Sequence, residues 1–591
     1  MTMTDTTTTT DTATRPWLDA SRPVDERVQL LLDEMTIEEK AGLFFHTMIA
    51  IGDLDEPNPI FRTPSARDFL EKKQMTHFNL LGAAPTGREI AAWQNAVQRL
   101  AASTRLGIPV TLSTDPRHSF SENPGASILA GPFSQWPETL GLAATRDAEL
   151  VERFADIARQ EYTAVGLRVA LHPQVDLATE PRWARQTATF GEDAELSGVL
   201  GAAYIRGFQG ASFGPGSVST MTKHFPGGGP QKDGEDPHFP YGREQVYPGG
   251  EFELHLKPFE DALAAGTRQM MPYYGMPVGT EYEEVGFGFN KSVITGLLRE
   301  RYGFDGLVCT DWGLINDSEI FGQPFPARAW GVEELTPRQR MKKVLDAGAD
   351  QFGGEDCPEL LLELVAAGEV TEERLDIAAR RLLREKFELG LFENPFVDED
   401  AADEIVGRAE FRDAGEHAQR ASITVLANRG ALPFAHGVKL YVEGIDAAVA
   451  SAYGEVVTTP AEADIAIIRL QAPFEERETM FENFFHAGSL DFDDEVVAHV
   501  RAIGAVVPTV VDVLADRPPI LTPLVDAVAG VTVNWGASGA ALLDVLSGAF
   551  AAQGKLPFDL PRSMAAVEAS APDVPFDTAD PLFRFGHGLS L

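Results

Sequence analysis

The sequence predicts an α/β protein, a (β/α)8 TIM-like barrel followed by a smaller α/β sandwich domain. Three observations predict it. Short apolar runs alternate with longer amphipathic segments through the first two thirds of the chain, and reactive side chains fall just after those runs. A second, shorter alternating region then follows an acidic break near Pro395. Alternation of this kind requires parallel strands joined by crossover helices.

The predicted barrel strands are 78–81, 110–114, 167–171, 218–222, 269–272, 307–310 and 349–352. Helical candidates lie between them at 148–163, 194–208, 251–265, 292–301 and 338–347, and several stop at a glycine such as Gly166, Gly266 or Gly348. Upstream, Val28, Leu31, Leu32 and Met35 share one helical face, and Thr36 with Glu39 reads as a capping box opening the next helix. Seven strands with one unread fit a closed barrel better than an open sheet. The reason is that Asp115, Asp176, Lys223, His224, Tyr273, Asp311 and Glu355 each fall at or just past a strand end, and in a barrel those ends share one mouth.

A helix over 371–389 stops at Gly390 and is followed by Phe392-Glu393-Asn394-Pro395 and an acidic stretch. The expected division is a disordered Thr-rich tail over 1–20, the barrel over 21–390, a linker over 391–415 and a sandwich domain over 416–591 that contributes to the active site. Within the last, 438–442, 465–470, 506–511 and 531–534 read as strands, and 495–503 and 540–546 as helices.

With 89 acidic against 49 basic side chains, the formal net charge is -40, which repels phosphate and excludes nucleic acid as a partner. No apolar run reaches the roughly 20 residues that a bilayer crossing needs, so no membrane partner is expected. The opening MTMTDTTTTTDTATRP has no charged region followed by an apolar stretch, which points to a cytoplasmic location. Cys309 and Cys357 are the only cysteines, too few for a disulfide framework. A homodimer is compatible with all of this.

The chemistry gathers in four motifs. Thr310-Asp311-Trp312-Gly313 sets a carboxylate at a strand end beside an indole, suited to attack an anomeric carbon while the ring packs on a pyranose face. Thr222-Lys223-His224-Phe225-Pro226 precedes three glycines and offers hydrogen-bonding groups for sugar hydroxyls. Pro181-Arg182-Trp183-Ala184-Arg185 carries a guanidinium fork for vicinal hydroxyls or a carboxylate, and Asp115 can accept from two adjacent hydroxyls. Taken singly, each motif is also met as an ordinary solvated loop.

Together with Met35-Thr36-Ile37-Glu38-Glu39-Lys40, Gly554-Lys555-Leu556-Pro557 and the terminal Phe585-Gly586-His587-Gly588-Leu589-Ser590, these motifs occur in one order along nearly the whole chain. On them the chain resembles glycoside hydrolase family 3, the β-glucosidase and β-N-acetylglucosaminidase family. The resemblance implies a barrel and an α/β sandwich with the active site between them, hydrolysis with retention, a small carbohydrate or glycoside substrate, no cofactor and no metal. It matches Asp311 to the nucleophile, Asp115, Arg185, Lys223, His224 and Tyr273 to the sugar-binding ring, and Trp312 to an aromatic wall. Asp176 fits a supporting role, orienting Arg185.

The acid/base has several candidates. The resemblance implies a Glu from the sandwich domain, and Ala472-Pro473-Phe474-Glu475-Glu476-Arg477-Glu478 follows the strand 465–470. Glu475 is the first choice, Glu476 the second and Glu478 the third. The N-acetylglucosaminidase branch instead implies an Asp-x-His dyad after the Lys-His motif, which Asp236 and His238 match, although the loop here is longer. Glu355 is a further candidate contact. Terminal β-D-glucose is the expected sugar. β-Xyloside, a metal-dependent hydrolase using His224, His238, Asp236 and Asp311, and an inactive sugar-binding protein are the alternatives.

Overall fold

The computed structural model describes residues 15–591 apart from 60–61, 116–117, 122–126 and 321. Eight parallel strands close into a barrel: β1 (Phe45–Ala50), β2 (His77–Leu81), β3 (Thr111–Thr114), β4 (Leu167–Ala170), β5 (Ser219–Phe225), β6 (Gln269–Pro272), β7 (Leu307–Trp312) and β8 (Gln351–Gly353). Each pairs with its sequence neighbours, and β1 closes on β8 through Phe45 with Phe352 and His46 with Gly353. The strand missing from the sequence reading is β1. Helix Ile37–Leu43 runs into it through Phe44 with no polar or glycine break, so one continuous apolar run hides the change of period.

The helices follow the amphipathic segments closely. Ala148–Ala164 is capped by Asp147, which accepts from Glu149 N and Leu150 N, and it buries Val151, Phe154, Ala155 and Ala158 on one face. The Thr36–Glu39 capping box forms as expected. Ser292–Arg301 is wound as a π-helix. Inside the barrel, Val169, Leu171, Met221, Met271 and Cys309 make an apolar layer beneath the mouth.

Of the tail expected over 1–20, residues 1–14 lie outside the described residues. Pro16–Leu18 forms one turn, with Trp17 buried among Val28, Leu31 and Leu32, so ordered packing starts earlier than 21. Burying an indole offsets the ordering of a short turn. The segment expected as a linker is itself packed: helix Glu399–Ile405 lies against helix Gly87–Ala102, where Asn95 Nδ2 donates to Val397 O at 2.9 Å and Gln94 Nε2 to Pro395 O at 2.8 Å.

Helix Ala409–Ser422 leads into a six-stranded sheet. Its strands are β9 (Thr424–Asn428), β10 (Lys439–Glu443), β11 (Glu455–Val456), β12 (Ile465–Gln471), β13 (Thr509–Leu514) and β14 (Gly530–Asn534), in the order β9-β14-β13-β12-β10-β11. Only β9 runs antiparallel to its neighbour. The sequence reading missed β9, which like β1 follows a helix without a break, and the two-residue edge strand β11. The sheet domain is tied to the barrel through buried polar groups. Glu192 accepts from Asp559 N at 2.5 Å and Phe576 N at 2.9 Å, while Asp573 accepts from Gly249 N and Glu251 N, both at 2.9 Å.

Candidate active site

The polar strand ends do converge. Asp115 follows β3, and its Oδ1 lies 2.6 Å from Lys223 Nζ of β5 and 3.1 Å from His172 Nδ1 beyond β4. Burial pushes the Lys223 ammonium down, while Asp115 pulls it back up. Lys223 Nζ and His172 Nδ1 both lie against one oxygen of Asp115.

His224 stands beside Lys223 on β5. Its Nδ1 is 2.7 Å from Asp176 Oδ2, and Asp176 Oδ1 accepts from His224 N at 3.1 Å and Gly228 N at 2.6 Å. Burial holds the imidazole well below its usual pKa, so the ring is neutral. With the Nδ1 proton on Asp176, Nε2 is left as an acceptor, 3.8 Å from Asp311 Oδ2. Burial also lifts Asp176 to about 6. Asp176 makes its hydrogen bonds with His224 and Gly228, while the Arg185 charge acts on it electrostatically.

Arg185 lies among carboxylates. Burial works against its charge, yet Tyr273, Asp236, Asp311 and Asp115 together outweigh it and raise the pKa. The Tyr273 ring is fully buried, 4.7 Å from His224 and edge-on to Trp183 at 6.3 Å.

Asp311 and Trp312 end β7. Asp311 Oδ1 accepts from Trp312 N at 2.9 Å, and buried Oδ2 has no hydrogen-bond partner among the described residues. Trp312 is held by its backbone: Tyr274 Oη pairs with both Trp312 N and Trp312 O at 2.8 Å, and Arg328 Nε donates to Trp312 O at 3.0 Å. Its indole is half-buried, 5.4 Å from His46 on β1 and flat against Gly353 and Gly354. A Cβ on either glycine overlaps the indole, and Gly354 also has φ +69°, so this wall depends on two bare backbones.

The loop after β5 forms the next wall. His238 Nδ1 is 2.6 Å from Asp236 Oδ1, so the Asp-x-His pair is assembled. Burial pushes Asp236 up, but His238 and then Arg185 outweigh it and leave its pKa lowered. The His238 ring lies 4.7 Å from Tyr274 and 4.6 Å from Phe485 of the sheet domain. The two domains meet there. Arg477 Nη2 donates to Glu235 Oε1 at 2.8 Å, and Tyr241 Oη to Glu482 Oε1 at 2.9 Å. Fully buried Arg517 donates to Arg182 O at 3.0 Å, Gly488 O at 3.1 Å and Pro473 O at 2.6 Å, fastening both ends of the loop 473–488 to the barrel. Glu475 sits on that loop with its carboxylate over Gly488, where φ is +76° and a Cβ has no room. Glu475, Glu476 and Glu478 are all exposed.

Glu355 does not face the pocket with a free carboxylate. Its Oε1 accepts from Ile315 N at 2.7 Å and Asn316 N at 3.1 Å, and its Oε2 from Asn316 Nδ2 at 2.8 Å. Its hydrogen bonds hold the loop that follows Trp312. Among the described residues, no group of three or more His, Cys, Asp and Glu side chains is arranged to hold a metal ion, and no helix is long and apolar enough to cross a membrane. A cavity of about 340 Å3 at the opposite end of the barrel is lined by Arg268, Arg381, Arg384 and Glu388, whose charges pair with one another or with nearby carboxylates.

The sequence reading missed His46, His172, Tyr274 and Arg328. His172 is the first polar residue after the predicted strand 167–171, so the rule that found Asp115 also selects it. Tyr274 adjoins Tyr273 in a Tyr-Tyr pair. His46 was lost with β1, and Arg328 reaches Trp312 through tertiary packing alone.

A parallel barrel with a buried carboxylate, an indole and a ring of polar side chains at its mouth has the layout of a carbohydrate-active barrel enzyme. Family models agree: the glycosyl hydrolase family 3 N-terminal domain matches residues 63–385, and the family 3 C-terminal domain matches 383–591. The chain belongs to glycosyl hydrolase family 3, and it is a retaining glycosidase. It is 53% identical to β-glucosidase C of Emericella nidulans over 96% of this chain and 93% of that one. It is 42% identical to a periplasmic β-glucosidase/β-xylosidase of Dickeya chrysanthemi over 97% and 91%. In fold it is similar to a β-glucosidase of Erythrobacter marinus, with TM-score 0.80 at 21% identity over 98% of this chain and 84% of that one.

Proposed function

We propose that the protein removes a terminal β-linked D-glucose by double displacement. Asp311 attacks the anomeric carbon, Glu475 protonates the leaving oxygen, and the same Glu then activates the water that releases the sugar. Asp115, Arg185, Lys223, His224 and Tyr273 hold the sugar hydroxyls, and Trp312 packs on the ring. One observation carries the reading: a buried carboxylate oxygen of Asp311 is left uncommitted inside this ring of polar groups. The names of the Emericella and Dickeya proteins support glucose, and the latter keeps β-xyloside as a second substrate.

Glu475 is preferred as acid/base because its loop is fastened to the barrel at both ends by Arg517. The assembled Asp236–His238 pair favours a second reading in which His238 does that work. Proton NMR of methyl β-glucoside hydrolysis tests the overall reading. Glucose is expected to appear first as the β-anomer, and first appearance as the α-anomer contradicts double displacement.

A further inference from the structure

We propose that the leaving-group side of the pocket is an apolar subsite, selecting β-glucosides whose aglycone is a hydrophobic group in preference to a second sugar. The inference rests on the site assignment above and adds the class of aglycone. Next to His238, rings from both domains meet in one cluster. Phe239 lies 5.8 Å from Phe481 and 5.5 Å from Phe485, while Phe325 lies 5.1 Å from Phe481. This cluster touches the sugar site through one ring, because His238 contacts Phe485 on one side and Tyr274 on the other. Tyr274 in turn grips the backbone of Trp312.

The same two loops carry large apolar side chains that water still reaches. Tyr241 is 50% exposed and stacks on Phe239, Met480 is 58% exposed and Phe484 is 38% exposed. The other exposed large apolar residues among those described, such as Val199, Ile377 and Val506, stand elsewhere in the sequence. Phe481 and Phe485 belong to the ring cluster, and Met480 and Phe484 adjoin them in sequence as exposed apolar side chains. Several of the nearby polar groups engage one another: Arg477 pairs with Glu235, Tyr241 with Glu482, and Glu482 also with Thr479. A second glucose needs hydrogen-bond partners for its several hydroxyls, and beyond the exposed carboxylates of 475–478 this surface supplies rings. A hydrophobic group needs only to leave water.

The test compares kcat/KM for 2-phenylethyl β-glucoside, methyl β-glucoside and cellobiose, whose leaving groups are all alcohols, so leaving-group acidity has little part in the comparison. The native chain is expected to favour phenylethyl over both others at least tenfold. Phe485→Leu and the surface pair Met480→Glu/Phe484→Glu are each expected to cut the phenylethyl-to-methyl ratio at least fivefold. Native ratios within twofold of one, or ratios that no variant changes, overturn this subsite alone. Release of glucose from none of the three substrates overturns the site assignment, and the subsite with it.

Discussion

Asp311→Gly is expected to lower kcat on aryl β-glucosides by about 10^4-fold or more, the scale seen when a covalent nucleophile is removed. The geometry explains why so much is lost. No other carboxylate among the described residues pairs an uncommitted buried oxygen with a place at the end of β7 beside Trp312. Fold and binding are expected to survive, because Asp311 makes its hydrogen bond to its own neighbour, Trp312 N, and that amide also has Tyr274 Oη. Added azide then fills the space of the missing carboxylate and should yield the α-glucosyl azide from an activated β-glucoside. Turnover within tenfold of the native chain removes Asp311 from the nucleophile position.

Glu475→Ala is expected to separate the two half-reactions. Loss of the general acid costs about 10^2- to 10^4-fold on methyl β-glucoside, whose departing oxygen needs a proton. A dinitrophenyl glucoside, which leaves unaided, is slowed much less in its first step. Azide rescue here gives the β-glucosyl azide, opposite in configuration to the product of Asp311→Gly, because attack now falls on the covalent intermediate. Glu476→Ala and Glu478→Ala are expected to stay within about threefold, since the reading assigns the acid/base role to Glu475. If His238→Ala shows the leaving-group dependence and Glu475→Ala does not, the acid/base is the dyad. Arg517→Ala offers a control on position: it frees the loop and is expected to move in the same direction as Glu475→Ala.

These two residues also mark how far the sequence was legible. Asp311 was visible because a β-branched and apolar run, Leu307-Val308-Cys309-Thr310, ends in a carboxylate and an indole, and the same pattern recurs strand after strand. Local periodicity sets such positions, so they can be read locally. β1 failed under the same rule, since Phe44 and Phe45 continue the apolar face of the preceding helix. His46 went with it. Glu475 is a different kind of problem. Three glutamates lie within four residues, and local sequence ranks none of them, because their position over the pocket depends on how the loop 473–488 docks on the barrel through Arg517, Arg477 and Phe485. None of those partners is near Asp311 in sequence. Asp176 shows the same limit in reverse. Its strand-end position was legible, but its hydrogen bonds to His224 and Gly228 were not, because they are set by the turn at Gly228.

The central claim is that the carboxylate of Asp311 bonds to the anomeric carbon, and covalent trapping tests it most directly. Incubation with a 2-deoxy-2-fluoro-β-glucoside carrying a dinitrophenyl leaving group should halt turnover with one sugar per chain. Mass spectrometry of the digest should then place that sugar on the peptide containing Thr310-Asp311-Trp312-Gly313. A label on another peptide, or inactivation with no label, contradicts the account.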